Sequence, residues 1–542
     1  MDPELQGRAR PGRSRALTVA AFAALVAAPL IAGALANGNA GALLSLPVES
    51  IAVVLVLLAL PWRSLRGVIA GAFGVIIVLA TVVAALDVGF ETTIDRAFSV
   101  ADDGPALVNA FGVLRDTIGT PNAVVVVGFI VLLLVGGAFA LARAALRAGR
   151  VAARSGRAGR LSAAAVASAW IGCALVGAQL IPGVPVAAAD AAGVLAATST
   201  QTAVGIREQA AFERALESDR LPPAADPLSA LEGKDVVIAF LESYGRAAVQ
   251  DSAVSAGIDR VLREGGTQLA QDGYVAQSAF LTSPTFGGVS WLAHSTLQSG
   301  VWVDSQQKYD RLMTSDRMTL TRAFDSAGWR TVSVVPSNKE PWPQGASFYG
   351  YDTLIDSRNM GYRGPAFSYA LVPDQYTWQH FYDRELAAPH EPLMAEIDFV
   401  SSHTPWTPLP RLVPWAEIGD GSVFDPQPAE GPAPMEVWPD AERVREAYGK
   451  SVEYTLGAMF SFLHTYDQPD LVLVVVGDHQ PSRIVSGPDA GRDVPVTIIA
   501  KDPSVFGRIA SWGWDAGIHP SPDAPVWRMD DFRNRFLEAF SG

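Results

Sequence analysis

Apolar residues are concentrated in the first third of the chain, in stretches separated by short polar or charged segments. Five of these stretches have roughly the length that a hydrocarbon core of about 30 Å requires, namely residues 16–36, 43–60, 67–86, 122–142 and 161–182. The 43–60 stretch is the weakest, because it is short and contains Pro47 and Glu49. Its alternative is a re-entrant or interfacial segment. The pattern predicts a five-helix transmembrane domain over residues 1–185.

Basic loops alternate with acidic or uncharged loops along this region. The loop at 37–42 has no Lys or Arg, and the loop at 87–121 is mainly acidic. Arginines fill the N-terminal tail and the second and fourth loops, namely Arg8, Arg10, Arg13, Arg15, Arg63, Arg66 and those from Arg143 to Arg160. Because cytoplasmic loops carry the excess of Lys and Arg, we expect a multi-pass protein of the plasma membrane. Its N-terminus would be cytoplasmic and everything after residue 185 extracytoplasmic.

The pattern changes after the last apolar stretch. Residues 186–232 are Ala-rich, then charged, then rich in Pro. They predict an amphipathic helix on the membrane surface followed by a linker; an ordinary connecting helix is the alternative. From 233 to 542 short apolar runs alternate with helical stretches such as 441–464. Such alternation is typical of an α/β domain with a largely parallel sheet sandwiched by helices.

Composition excludes several classes of function. The formal net charge of −14 argues against a nucleic-acid partner. The single cysteine, Cys173, lies inside an apolar stretch. The polar part of the chain therefore has no disulfide framework, thiolate metal site or cysteine nucleophile.

Candidate metal ligands follow three strand-like runs. The run 471–476 leads through Gly477 into Asp478-His479, the run 235–241 into Glu242, and the run 395–400 into Ser401-Ser402-His403. Sites in open α/β sheets form beyond the carboxyl ends of strands, so these side chains are expected at one edge. Oxygen and nitrogen ligands suit Mn²⁺ or Mg²⁺, with Zn²⁺ also possible.

A nucleophile is expected between Pro284 and Gly300. Ser290 follows two glycines and begins an apparent helix, where free backbone N–H groups favour an anionic substrate. The alternative reading of Ser290 is a simple helix cap. Thr285, in Pro-Thr-Phe, is a second candidate nucleophile.

The chain resembles the alkaline phosphatase/sulfatase superfamily in several short segments. It is most similar to the membrane-bound lipoteichoic acid synthase and phosphoglycerol transferase branch. The matching segments are Phe240-Leu-Glu242-Ser-Tyr244, Tyr349-Gly-Tyr-Asp352, Ser401-Ser-His403-Thr-Pro-Trp406 and Val476-Gly-Asp478-His479. In that superfamily a glycine lies ten residues after the nucleophile, a spacing that favours Ser290 with Gly300 over Thr285.

The resemblance implies roles for individual residues. Glu242, Ser290, Asp478 and His479 would hold one divalent metal, with Ser290 as the nucleophile. His403 would contact the substrate phosphate or protonate a leaving group, and Trp342 would pack against substrate. His294, one helical turn after Ser290, either reaches the site or has a packing role. His519, in an expected loop, is a further candidate.

The chain also departs from the superfamily pattern. Ser290 is not followed by x-Pro-x-Arg, which argues against formylglycine sulfatase chemistry. A second set of metal ligands is not evident; Asp398 is the nearest candidate, and its place inside a strand argues against it. The segment Pro336 to Gln344 retains Trp342 but lacks the expected Arg, which puts polyglycerol phosphate synthesis in doubt.

The resulting prediction is a metal-dependent enzyme that transfers a phospho-head group, phosphoglycerol or similar. The donor would be a membrane phospholipid, the acceptor a cell-envelope glycan or polymer, and the intermediate a phosphoserine. One alternative is a phosphodiesterase or phosphatase that uses water as acceptor. Another is a metal-free membrane protein that uses the fold for binding.

Overall fold

The computed structural model describes residues 11–94, 96–100, 102–104, 111–112, 114–115, 118–219, 227–250 and 252–542. Arg8, Arg10, most of the predicted linker and part of the predicted 87–121 loop lie outside these ranges. The chain forms two compact units. One comprises Met1–Glu91 with Arg96–Glu208, the other Thr92–Asp95 with Gln209–Gly542. The predicted domain boundaries at 185 and 232 stay predictions.

The first unit is built from helices that pack through small residues. A Cβ on Gly74 would meet the carbonyl oxygen of Ala138 at 2.2 Å, so these two helices touch backbone to backbone. Short strands pair Leu46–Pro47 with Ala187–Ala188 and Gln179–Ile181 with Val184–Pro185. The helices are α1 (Pro11–Ala36), α2 (Val48–Ala59), α3 (Arg63–Ile94), α4 (Thr120–Arg154), α5 (Gly156–Val176) and α6 (Asp190–Glu217), the last of which continues beyond Glu208 into the second unit.

The predicted count of five spans is not confirmed. Among the described residues, four helices are long and apolar enough to cross a bilayer: α1, α3, α4 and α5. Helix α2, in the predicted 43–60 span, has 12 residues. At 1.5 Å per residue it is about 18 Å long, short of a hydrocarbon core. Helix α6 occupies the predicted amphipathic segment, and its place at a membrane surface stays a prediction.

The second unit is an α/β domain with a nine-stranded sheet. Its strands are β1 (Asp235–Leu241), β2 (Val275–Thr282), β3 (Arg330–Val335), β4 (Thr353–Asp356), β5 (Leu393–Phe399), β6 (Leu471–Gly477), β7 (Asp493–Ala500), β8 (Asp515–Ala516) and β9 (Val526–Arg528). Its helices are α7 (Arg246–Val249), α8 (Ser255–Gln271), α9 (Ser290–Ser299), α10 (Gln306–Met313), α11 (Leu320–Ser326), α12 (Pro343–Tyr349), α13 (Asp374–Phe381), α14 (Pro434–Val437), α15 (Ala441–Thr465), α16 (Arg483–Ser486), α17 (Pro503–Arg508) and α18 (Phe532–Phe540).

The sheet runs in the order β8-β2-β7-β6-β1-β5-β3-β4, and β9 pairs with β2. Strands β6, β1, β5, β3 and β4 are mutually parallel, whereas β7 is antiparallel to both of its neighbours. The prediction of an α/β domain with a largely parallel sheet is confirmed.

Both faces of the central strands are buried. Along β1, Val237, Ala239 and Leu241 belong to one hydrophobic cluster. Val236, Ile238 and Phe240 belong to another on the opposite face. Helices therefore cover both sides of this sheet, which explains why these strands are continuous apolar runs in the sequence.

The register of the central strands aligns their carboxyl ends. Leu241 at the end of β1 pairs with Gly477 of β6 on one side and with Phe399 of β5 on the other. The residues that follow these three positions therefore leave the sheet at one edge.

The backbone at this edge is closely packed, and Gly477 is the point of closest approach. A Cβ at Gly477 would lie 1.9 Å from the carbonyl oxygen of Tyr244. We expect Gly477→Ala to lower the free energy of unfolding by about 1–3 kcal/mol, because a strand end must shift. Denaturant unfolding of the full-length protein in detergent, followed by tryptophan fluorescence, measures the change. Gly507→Ala, in helix α17 with open space around its Cβ, is the control and should be neutral. Equal stability of the two variants would contradict the predicted steric conflict.

Candidate active site

Glu242 is the first residue beyond β1 and is 8% exposed. Ser243 beside it has a left-handed backbone, with φ of 57°. The Ser243 hydroxyl donates to Glu242 Oε1 at 2.9 Å, and the Ser402 hydroxyl donates to the Glu242 carbonyl at 2.6 Å. Neither bond involves Glu242 Oε2, so this oxygen can accept a hydrogen bond from another residue.

Asp478 and His479 follow Gly477 and are each 1% exposed. Asp478 Oδ1 accepts two backbone N–H groups, from Ser243 and His479, both at 2.7 Å. Its buried Oδ2 has no hydrogen-bond partner among the described residues. The Nδ1 of His479 lies 2.8 Å from the Gln480 carbonyl, which places the proton there. Its Nε2 therefore faces the carboxylates, 3.3 Å from Glu242 Oε1 and 3.6 Å from Asp478 Oδ2. This nitrogen donates to them when the ring is charged and offers a lone pair when the ring is neutral.

Ser290 is the first residue of helix α9. The preceding Val289 has φ of 57° and ψ of 46°, a left-handed conformation that is rare for a β-branched residue, and its side chain does not cap the helix. The Ser290 hydroxyl donates to Glu242 Oε2 at 2.9 Å and lies 3.2 Å from His479 Nε2. The four residues predicted to form the metal site therefore lie together, and Ser290 contacts two of the other three.

The charges of this group depend on one another. Burial raises the pKa of Asp478 to about 6, and the neighbouring Glu242 charge adds to the rise. Burial lowers the pKa of His479, but the charge of Asp478 and the hydrogen bond to Glu242 outweigh it and raise this pKa to about 9. Burial also disfavours ionised Glu242, yet the charge of His479 holds the Glu242 pKa well below its usual range. The buried carboxylates therefore require a positive charge beside them.

The donor set fits a divalent cation. Ligand atoms of Glu242, Asp478 and His479 all lie within 4.8 Å of one another. Asp478 Oδ2 has a free lone pair, the neutral ring of His479 offers a lone pair on Nε2 because its proton is on Nδ1, and Ser290 adds a hydroxyl oxygen. Oxygen and nitrogen ligands of this kind suit Mn²⁺, Mg²⁺ or Zn²⁺.

A cavity of about 600 Å³ lies in the same unit, and Trp342 is among its lining residues. Tyr369 also lines this cavity, and its ring stacks on His403 with centroids 3.6 Å apart. His403 follows Ser402, whose hydroxyl donates to the Glu242 carbonyl, so the backbone of this segment lies beside the predicted metal site. Both residues predicted to contact substrate thus lie at or beside this cavity.

The other candidates have different surroundings. The Thr285 hydroxyl donates to the Gly288 carbonyl within its own loop. His519 lies 3.1 Å from the Val249 carbonyl and 3.2 Å from Asp259, and none of its described contacts is with the predicted metal site. His294 stacks on Phe240 with centroids 4.0 Å apart and lies 3.5 Å from Asp398.

Glu396 is a residue that the sequence analysis missed. It lies in β5 two positions before Asp398 and forms a second group of possible ligands with Asp398 and His294. The available signal was the spacing: residues two apart in a strand face the same side of the sheet. Asp398 lies inside strand β5, as predicted, and its side chain nevertheless lines the cavity.

No family model and no curated protein matches the chain. Several solved structures are similar to it. The integral membrane lipooligosaccharide phosphoethanolamine transferase A of Neisseria meningitidis is 13% identical, with 97% of this chain and 95% of that chain covered and a TM-score of 0.43.

Two further similar structures match a shorter part of the chain. The lipoteichoic acid synthase LtaP of Listeria monocytogenes is 11% identical, covering 60% of this chain and 77% of that chain, with a TM-score of 0.36. The Streptococcus pyogenes phosphoglycerol transferase GacH, in complex with sn-glycerol-1-phosphate, is 12% identical, covering 61% and 90%, with a TM-score of 0.34. At these identities and TM-scores, the assignment of a function depends on the site itself.

The hydroxyl of Ser243 supports Glu242 without being one of the predicted ligands. We expect Ser243→Ala to weaken Mn²⁺ binding by about 10–100-fold, the usual effect of losing a group that orients a ligand. Isothermal titration of the chelator-treated full-length protein measures the affinity. Ser326→Ala is the control, because the Ser326 hydroxyl only donates to the Arg322 carbonyl of its own helix. An unchanged affinity in Ser243→Ala would show that Glu242 does not need this bond.

Proposed function

We propose that the chain is a membrane-anchored, metal-dependent phosphotransferase. It transfers a phospho-head group, phosphoglycerol or similar, from a membrane phospholipid to a cell-envelope glycan or polymer. The observation that carries this proposal is the contact of the Ser290 hydroxyl with both Glu242, at 2.9 Å, and His479, at 3.2 Å, inside a buried group of metal-ligand type. A serine that only capped its own helix would bond to that helix, and not to a buried carboxylate at the end of strand β1.

The residues have distinct roles in this proposal. A divalent ion held by Glu242, Ser290, Asp478 and His479 would activate the hydroxyl and neutralise charge on the phosphoryl oxygens. Ser290 Oγ attacks phosphorus, its proton leaves along the hydrogen bond to Glu242, and the bond from phosphorus to the lipid oxygen breaks. The lipid oxygen takes a proton from His403, or from water if His403 instead contacts the phosphate. An acceptor hydroxyl then attacks phosphorus and returns a proton to that same donor, the bond from phosphorus to Ser290 Oγ breaks, and Ser290 recovers its proton from Glu242.

Two features support an anionic substrate at this position. Val289 offers no side-chain cap to helix α9, so first-turn N–H groups remain for an anion. The adjoining cavity is lined by aromatic rings, including Trp291, Trp342 and Tyr369, which suit the body of a head group or a glycan. A membrane anchor on the same chain raises the effective concentration of a lipid donor.

Trapping of the intermediate tests the nucleophile. The full-length protein is incubated with Mn²⁺ and vesicles of phosphatidylglycerol, quenched in acid and analysed by peptide mass spectrometry. We expect an added mass on Ser290, equal to the transferred group. Ser290→Ala should lose this adduct and reduce turnover by on the order of 10⁴–10⁶-fold. Thr285→Val should retain the adduct, because Thr285 bonds within its loop. An adduct on Thr285, or full activity in Ser290→Ala, would refute the assignment.

The acceptor separates a transferase from a hydrolase. Vesicles that carry a labelled head group are incubated with the protein in the presence and absence of envelope glycan. Label on the glycan supports the transferase. Release of the label to water alone, at the same rate with and without glycan, would instead establish the phosphodiesterase alternative.

The extracytoplasmic position of the second unit is part of the proposal and is testable. A fluorescent protein that matures only in the cytoplasm is fused after Gly542, and an exported phosphatase is fused there in a second strain. We expect phosphatase activity and no fluorescence, because the basic loops predict a cytoplasmic N-terminus and alternate with the other loops only if all five apolar stretches cross. This requires the 43–60 stretch to cross, although helix α2 accounts for only part of it. Fluorescence would mean an even number of crossings.

A further inference from the structure

A second group of possible metal ligands lines the cavity. Glu396 and Asp398 project from the same face of β5, and His294 lies on helix α9 one turn beyond Ser290. One ligand atom from each of these residues lies within 4.8 Å of the others. All three line the cavity of about 600 Å³, together with the rings of Trp291 and Tyr309.

The group is poorly satisfied by the protein itself. His294 Nδ1 and Asp398 Oδ2 are 3.5 Å apart, longer than a usual charged hydrogen bond. His294 Nε2 and Asp398 Oδ1 are buried, and neither has a hydrogen-bond partner in the part of the chain that the structure describes. Buried polar atoms of a purely structural ion pair normally have partners. These two buried atoms are therefore available to coordinate a cation.

Electrostatics agrees with this geometry. Burial raises the pKa of Glu396 to about 8, and the Asp398 charge adds to the rise. Burial lowers the pKa of His294, but Asp398 outweighs it and raises this pKa to about 9. Two carboxylates this close together in a buried position therefore favour a positive charge beside them. Gln298 donates to Glu396 Oε2 and fixes the orientation of that carboxylate.

We propose that His294, Glu396 and Asp398 form a second divalent-cation site, separate from the Glu242–Asp478–His479 group. The ligands are one imidazole nitrogen and carboxylate oxygens, so Mn²⁺, Mg²⁺ or Zn²⁺ is the class of ion expected. An imidazole favours a metal over an organic ammonium, because an unprotonated ring nitrogen is a strong metal ligand. An ion held by these residues would face the cavity and would bind an oxygen atom of a molecule inside it. This inference does not rest on the proposed transfer reaction.

The number of bound ions tests the proposal. The full-length protein in detergent is treated with chelator, titrated with MnCl₂ and followed by electron paramagnetic resonance of free Mn²⁺. We expect two ions per chain for the unchanged protein. Glu396→Gln and Asp398→Asn should each bind one ion, and Asp478→Asn should also bind one. Glu340→Gln is the control that should still bind two ions, since Glu340 is an exposed carboxyl that lines the same cavity outside the group.

Combination and folding controls make the result decisive. Asp398→Asn combined with Asp478→Asn should bind no ion with the affinity of either site. His294→Gln, which keeps a side chain of similar size, gives an independent one-ion variant if a carboxylate variant unfolds, as judged by circular dichroism. One ion in the unchanged protein, or two ions in both Asp398→Asn and His294→Gln, would overturn the proposal. Two ions without an adduct on Ser290 would uphold this site while refuting the proposed transfer.

Discussion

The structure of the site depends on two carboxylates, Glu242 and Asp478, that are buried side by side. Removing a carboxylate from water is costly unless a positive charge or hydrogen-bond donors compensate. Asp478 Oδ1 has two backbone donors, while its Oδ2 has none among the described residues. His479 supplies a proton when it is charged. A divalent cation would compensate both carboxylates at once, and the geometry around them is arranged for that.

The sheet makes this concentration of charge possible. Strands β1, β6 and β5 are buried on both faces and aligned in register, so their rigid carboxyl ends hold the polar residues that follow. Helix α9 completes the arrangement with Ser290 at its start and His294 one turn later. Leu292, Ala293 and Leu297 anchor that helix in the core. One helix thus contributes to both groups of ligands.

Much of this site could be predicted from the sequence, because the runs before Glu242, His403 and Asp478 carry a strand signal. Parallel strands share an edge, so the convergence followed from fold class alone. The spacing from Ser290 to Gly300 selected the serine that contacts Glu242 over Thr285. The proximity of Glu396 to His294, with ligand atoms within 4.8 Å of each other, was not predicted. It joins a strand to a helix that is distant in sequence, and a local spacing shows only which residues share a face.

In the membrane region, the sequence pattern predicted less of the structure. Hydropathy located its helices, but helix α2 ends at Ala59 after 12 residues. A hydropathy window places Leu43 and Leu44 in one span with helix α2. In the structure these two leucines lie in a separate 3₁₀ turn. The break comes from Ser45 to Pro47, where the backbone is extended and Leu46–Pro47 pairs with Ala187–Ala188. A pairing of segments so far apart leaves no trace in a local window.

The unusual backbone of the site has a further consequence. Five described non-glycine residues have positive φ, and four of them adjoin the residues discussed above: Ser243, Val289, Ser368 and Trp406. Each such conformation costs roughly 1–3 kcal/mol, which the packed sheet must offset. A glycine in place of Val289 would remove this conformational cost. Its more flexible backbone would also hold the Ser290 hydroxyl less firmly. Thermostability and a fixed position of the Ser290 hydroxyl are therefore opposed at this loop, and a search for more stable variants should begin away from it.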